Sequence, residues 1–180
     1  AQIYRVTADE DGDWEEPEPL DVKINRPGYH TGSVAFSDDG RRMYFTRARL
    51  QGNTLRESKI YYAEGSDGNW GAAQECIGVN GEWLANHPAP GALFGREVLF
   101  FSAKIEGGYG GYDLYYATYK SDGVYGEPVN LGPTVNTPGD EITPHYFDGT
   151  LYFSSNGLPG FGGFDVFFSS WDGARWTAPT

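Results

Sequence analysis

Three side chains that can bind metal ions stand at matching places in three similar segments. His30, His87 and Glu141 each precede or begin a short apolar run. Imidazole and carboxylate groups are zinc ligands, but a zinc site needs three or four side chains that converge. The chain offers at most these three, so we predict no metal site and no cofactor. We expect the three residues to hold the starts of strands through hydrogen bonds.

Other catalytic signatures are missing from the sequence. It has no G-x-S-x-G nucleophile elbow, no phosphate-binding loop ending in Gly-Lys-Ser/Thr and no H-E-x-x-H pair. The glycine-rich stretches 107–111 and 157–163 lie between predicted strands, so they lack the helix N-terminus that helps such loops bind phosphate. We therefore expect a protein without enzymatic activity.

Aromatic and polar side chains near the glycine-rich stretches could instead contact a partner. Aromatic residues on a rigid rim are common anchors of protein interfaces. The predicted contact residues in loops between the second and third strands are Arg47, Arg49, Tyr109, Asn156 and Phe161, with His30, His87 and Glu141 nearer the centre. Tyr112 and Phe164 are open to either interpretation, because they could pack inside the fold.

A repeated unit of short strands must position these side chains. Ile60, Leu114 and Val166 align with Ile3, and units begin about fifty residues apart. Phe45, Phe101 and Phe153 align as a second set, and Asp-Gly pairs at 11, 67, 122 and 172 as turns. No helical period of 3.6 residues extends over a long window.

Four antiparallel strands per unit predict an all-β fold, a β-propeller of four-stranded blades, because stacked blades bury both faces of each sheet. We predict a half-blade over residues 1–26 and whole blades over 27–80, 81–134 and 135–180. Propellers close with four to eight blades. We therefore expect this chain to be part of a larger propeller, which other chains could complete.

The units resemble a known repeat. The segments SDDGRRMYFTR, DGTLYFSSN and GFGGFDVFF are similar to the WD40-like, TolB-type β-propeller repeat. Such repeats occur in outer-membrane-associated proteins of Gram-negative bacteria that also carry an OmpA-like peptidoglycan-binding domain. The resemblance implies a propeller of the periplasm or outer membrane. It implies no activity, since propellers carry many unrelated functions.

Composition and charge exclude several classes of function. The net charge is −12, and an acidic surface repels nucleic-acid phosphates. No apolar run approaches the ~20 residues of a membrane-spanning helix. The single cysteine, Cys76, rules out a disulfide within the chain, and we expect it to be a small buried apolar residue rather than a reactive thiol.

These observations favour one function and leave two alternatives. We expect a scaffold that binds a protein or peptide of the cell envelope, with the acidic field favouring basic partners. The first alternative is a propeller that binds carbohydrate or cleaves glycosides. The second is a purely structural module of a longer envelope protein.

Overall fold

The computed structural model describes all 180 residues, which form fifteen strands and no helix. The prediction of an all-β chain is confirmed, and every pairing between named strands is antiparallel. The structure contains no apolar helix of membrane-spanning length. The strands form four separate sheets.

The first two sheets occupy the first half of the chain. The N-terminal sheet pairs β1 (Tyr4–Arg5) with β2 (Glu18–Pro19). Sheet 1 then contains β3 (His30–Phe36), β4 (Arg42–Gln51), β5 (Thr54–Ser66), β6 (Asn69–Trp70) and β7 (Gln74–Glu75).

Sheets 2 and 3 repeat this arrangement. Sheet 2 contains β8 (Leu84–Leu93), β9 (Arg96–Lys104), β10 (Asp113–Ser121), β11 (Val124–Tyr125) and β12 (Val129–Asn130). Sheet 3 contains β13 (Glu141–Phe147), β14 (Thr150–Ser155) and β15 (Asp165–Ser170). Beyond β15, Thr180 exchanges two main-chain hydrogen bonds with Phe168, so the last residues run along the sheet edge.

Tight turns fix the register of these strands. Asp67, Asp122 and Asp148 have φ of 52°, 46° and 44°, and the glycine after each is also left-handed. Two consecutive left-handed residues define the type I′ hairpin turn, for which Asp-Gly is a preferred pair. The turns that the sequence pattern predicted at Asp67 and Asp122 are therefore confirmed.

The hydrophobic core lies between the sheets. The cluster between sheets 1 and 2 has 12 buried residues and that between sheets 2 and 3 has 10. Both faces of the central strands are buried, as in the completely buried pair Phe100 and Phe101. Cys76 is also buried, as expected. The first strands β3, β8 and β13, called here the inner strands, contact one another in this order.

Candidate functional site

Each inner strand is interrupted by a β-bulge at the same place. The pairing register slips between Gly32 and Ala35, between Asn86 and Ala89, and between Ile142 and His145. One residue in each bulge has a left-handed backbone conformation. These residues are Ser33, His87 and Thr143, with φ of 54°, 53° and 52°. Non-glycine residues in this region are strained, and such strain clusters at functional sites.

Hydrogen bonds from the second strand support two of these bulges. Nδ1 of His87 lies 2.9 Å from Oγ of Ser102, and Oγ1 of Thr143 donates to Oγ of Ser154 at 2.9 Å. The backbone N–H of His87 donates to Oγ1 of Thr46 on sheet 1. Burial lowers the pKa of His87, so its imidazole is neutral at pH 7.

A groove of about 440 Å³ extends from the bulges towards the far ends of the inner strands, and all three strands line it. We call it the inner groove. Polar and apolar atoms contribute about equally to its exposed lining, which consists of Val34, Ala35, Phe36, Asp38, Pro88, Ala89, Pro90, Pro144, His145, Tyr146 and Phe147.

Two kinds of chemistry meet in the inner groove. Phe36 and Phe147 are 52% and 67% exposed, so their rings are open to contact. The imidazole of His145 and the carboxylate of Asp38 supply hydrogen-bonding groups in the same lining. Aromatic side chains beside a few placed polar groups are typical of small-molecule sites.

The residues predicted nearer the centre do not converge. Ser155 and Arg47 occupy equivalent places on the second strands of their sheets. Glu141 pairs with Ser155 and Thr31 pairs with Arg47, so Glu141 corresponds to Thr31. His87 lies at the bulge, further along its strand, so the predicted equivalence of the histidines is wrong. The hairpin between the first and second strands is longer in sheet 2 than in sheet 1, since Ala85 pairs with Ala103 whereas Thr31 pairs with Arg47, and residue spacing alone does not reveal this difference. The structure brings together no group of three or more His, Cys, Asp or Glu side chains that could hold a metal ion.

Glu141 is buried completely and its carboxylate is fully engaged. Its Oε1 accepts hydrogen bonds of 2.6 Å from both Thr137 and Ser155, and its Oε2 accepts the backbone N–H of Thr137 at 2.8 Å. Glu141 therefore fastens the loop before β13 and is closed to a partner, contrary to its predicted contact role. His30, by contrast, is exposed and its Nδ1 lies 2.7 Å from the N-terminal amine.

Arg47 is also buried, at 5% exposure, so its predicted place on a contact surface is wrong. Its Nη2 donates to the carbonyl oxygens of Lys23 and Ile24, at 2.5 and 2.8 Å. Its guanidinium lies over the ring of Tyr61, 4.7 Å from the centroid. Arg49 is exposed and pairs loosely with Glu57 at 3.7 Å.

The predicted loop contacts are on the surface. Tyr109 is 47% exposed and Phe161 is fully exposed. Asp113 and Asp165 each anchor one of these loops, because their Oδ2 atoms accept the backbone N–H of Tyr109 at 2.7 Å and of Phe161 at 2.8 Å. These loops lie at the opposite end of the sheets from the inner groove, so the structure separates two candidate surfaces.

Asn156 and the two ambiguous aromatic residues complete the predicted loop surface. The Oδ1 atom of Asn156 accepts the N–H of Asp140 at 2.7 Å, and its side chain stays exposed. Phe164 is exposed, whereas Tyr112 is partly buried. Burial raises the pKa of Tyr112. Contact of this surface with a partner stays a prediction.

Sequence reasoning missed a set of structural asparagines. In each, Oδ1 accepts the backbone N–H of an anchor residue at 2.8 Å and Nδ2 donates to the carbonyl oxygen of the same residue. The three clamps are Asn25 on Ile3, Asn80 on Ile60 and Asn136 on Leu114. Their regular spacing was the available signal. For the bulges the sequence offered a weaker signal, the prolines that directly follow His87 and Thr143.

Several solved structures share this fold. An α-L-arabinofuranosidase from Lactobacillus brevis matches with a TM-score of 0.58 and 12% identity over 90% of this chain. An N-acetylgalactosamine deacetylase from F. plautii, in complex with blood group B trisaccharide, matches with a TM-score of 0.59 and 17% identity over 95% of this chain. The GH93 α-L-arabinofuranosidase of Fusarium graminearum, in complex with arabinobiose, matches with a TM-score of 0.51 and 15% identity over 96% of this chain.

The chain spans 59%, 58% and 55% of these three proteins, in the same order. No protein-family model matches it, and no curated protein sequence does. The resemblance to the TolB-type repeat therefore stays a prediction. The expectation of a non-enzymatic protein is contradicted, because the structures that share the fold include glycosidases and a deacetylase.

Proposed function

We propose that sheets 1 to 3 are blades of a β-propeller and that the inner groove binds carbohydrate. One observation carries this proposal: three strands with identical bulges line one groove that combines exposed aromatic rings with His145 and Asp38. Aromatic faces stack on sugar rings, and the imidazole and carboxylate can bind hydroxyl groups. The proteins with similar folds support this class of ligand, since their names refer to sugars.

Calorimetric titration with arabino-oligosaccharides and with blood group B trisaccharide tests this proposal. We expect saturable binding to the wild-type protein and at least roughly tenfold weaker binding after Phe147→Ala, which removes an exposed ring from the groove. Phe161→Ala is the matched control, because this ring is fully exposed in a distant loop. Equal losses in both variants, or no binding of either sugar and of a wider glycan array, would refute the proposal.

Glycoside cleavage is the second candidate function. Glycosidases of most families use two carboxyl groups beside the scissile bond. The lining of the groove supplies one of these groups, Asp38, and the second would have to come from outside the lining. Two of the structurally similar proteins are arabinofuranosidases. Release of nitrophenol from aryl arabinofuranosides, abolished by Asp38→Asn with sugar binding retained, would support it. Full turnover by the Asp38→Asn variant would remove Asp38 from this role.

The loop surface around Tyr109, Asn156 and Phe161 leads to a separate prediction, a protein partner in the periplasm or at the outer membrane. The double variant Tyr109→Ala with Phe161→Ala should weaken capture of that partner in a pull-down. It should leave sugar binding unchanged, because these loops are remote from the inner groove.

A further inference from the structure

A second cavity adjoins the inner groove between sheets 1 and 2. Its volume is about 400 Å³, and we call it the charged cavity. One wall comes from the β3–β4 turn and the start of β4, and the other comes from the end of β8 and the start of β9. Asp38 and Pro90 line both the charged cavity and the inner groove, so the two spaces meet at these residues.

Small residues keep the charged cavity open. Its sheet 2 wall is formed largely by residues 90–92 and Gly95, which carry little side chain to fill the space. The corner between sheets 2 and 3 is occupied instead by Phe94 and Trp171, whose ring centroids are 5.2 Å apart. Phe94 precedes the glycine of the β8–β9 turn, and Asp39 precedes the glycine of the β3–β4 turn. The exchange of a ring for a carboxylate leaves the first corner open and polar.

Several charges in the lining of the charged cavity are already compensated. Arg42 makes a two-pronged ion pair with Glu97, at 2.8 and 2.9 Å. The Oδ1 atom of Asp39 accepts the hydroxyl of Ser37 at 2.6 Å and the backbone N–H of Arg41 at 3.0 Å. These groups shape the cavity but are engaged with one another.

Asp38 and Arg96 are the charged side chains of the lining that stay free. Both are exposed, and neither takes part in an ion pair. They belong to opposite walls, and one can only accept hydrogen bonds while the other can only donate them. A sugar hydroxyl does both, and hydrogen bonds to charged groups are roughly twice as strong as neutral ones. Because the lining carries both signs of charge, it favours a neutral polyol over an ion.

We propose that the charged cavity is a second sugar subsite, so that the ligand is a neutral oligosaccharide of at least two linked units. One unit stacks on the exposed rings of the inner groove, and the next places its hydroxyl groups between Asp38 and Arg96. Asp38 lies where the two spaces meet and therefore beside the linkage between the units. Arg96 determines the preference for chain length. This inference rests on the carbohydrate ligand proposed above.

NMR titration, which follows weak binding, tests the second subsite by chain length. The probes are arabinobiose and blood group B trisaccharide, each compared with its own monosaccharides. We expect the wild-type protein to bind at least one of these oligosaccharides roughly tenfold more tightly than its monosaccharides, because charge-assisted hydrogen bonds are added. Arg96→Ala should remove this gain and leave monosaccharide affinity unchanged.

Two further variants separate a subsite from a general effect. Ala92 is exposed in the lining, so Ala92→Trp should fill the charged cavity and remove the same gain without altering a charge. Arg56→Ala is the matched control, because Arg56 is an exposed arginine near the β4–β5 turn, at the other end of sheet 1. It should leave every affinity unchanged.

The outcomes distinguish this inference from the function on which it rests. Equal affinity for oligosaccharides and monosaccharides, or a gain that persists in either cavity variant, overturns the second subsite and leaves the sugar site of the inner groove standing. Tighter binding of an oligosaccharide that contains uronic acid, lost in Arg96→Ala, overturns the neutral ligand. Absence of binding to any sugar refutes the carbohydrate function itself.

Discussion

The interface between sheets 1 and 2 is complete, whereas the interface between the N-terminal sheet and sheet 1 is open. The complete interface has a core of 12 buried residues, and the open interface has 5. The second strand of the later sheet is present in both, as Leu99 with Phe101 in one and Met43 with Phe45 in the other. The earlier sheet makes the difference, because sheet 1 contributes Tyr44 from its second strand β4 to the complete core, whereas the N-terminal sheet consists of β1 and β2 alone.

Polar bridges follow the same division. In the complete interface Arg42 makes a two-pronged ion pair with Glu97, at 2.8 and 2.9 Å, and Tyr125 donates to the hydroxyl of Tyr44 at 3.0 Å. No ion pair joins the N-terminal sheet to sheet 1. The ion pair and the tyrosine pair both use the second strand of the earlier sheet, which the N-terminal sheet lacks. The open interface has instead the hydrogen bonds from Arg47 to the carbonyl oxygens of Lys23 and Ile24.

Truncation of equivalent phenylalanines should separate the two interfaces most strongly. Phe101→Ala should lower the free energy of unfolding by about 3–5 kcal/mol, because the rigid core around it cannot collapse into the cavity. Phe45→Ala should cost about half as much, because its surroundings border an open pocket and can relax. Urea denaturation of the two variants measures this difference. Equal costs would show that the open interface is as firmly packed as the complete one.

The asparagine clamps give the next largest contrast. Asn136→Ala leaves the buried N–H of Leu114 without its acceptor and removes one of two donors to the C=O of Leu114, which still accepts the N–H of Leu131; the change should cost about 2–3 kcal/mol. Asn25→Ala makes the same change at Ile3, but the two-stranded N-terminal sheet can detach locally, which limits the global cost to about 1 kcal/mol. Native-state hydrogen exchange should show local opening of β1 in the Asn25 variant. Global opening there would contradict the assignment of β1 as a weakly held strand.

Much of this fold could be predicted because apolar and turn residues recur at a fixed period. The alignment of Phe45, Phe101 and Phe153 is reproduced in the register, since all three pair with an aromatic residue of the third strand. The candidate site was harder to predict. The place of His87 was mispredicted because the hairpin of sheet 2 is longer than that of sheet 1. Glu141 is a buried charge, although charged residues are normally exposed. The burial of Glu141 depends on hydrogen-bond donors that come together only in the folded chain.

A hydroxyl deletion should give a smaller contrast. Tyr125→Phe removes the hydrogen bond to Tyr44 across the complete interface and should cost about 1 kcal/mol. Tyr4→Phe removes an exposed hydroxyl whose 3.3 Å bond to Gln2 competes with water, so it should cost about 0 kcal/mol. Thermal unfolding of both variants checks this. A matching loss at Tyr4 would mean that its hydroxyl is already shielded from water.

The smallest expected effect is the pH dependence due to His87. Burial lowers its folded-state pKa below the unfolded value of about 6.5, so folding favours the neutral imidazole. Stability from this group is therefore complete above pH 6.5 and falls as the pH decreases towards the folded-state pKa, by at most about 1.4 kcal/mol per pH unit. His87→Gln should remove this part of the difference between unfolding at pH 7.5 and at pH 5.5. An unchanged difference in the His87→Gln variant would show that burial in sheet 2 does not control this part of the pH dependence.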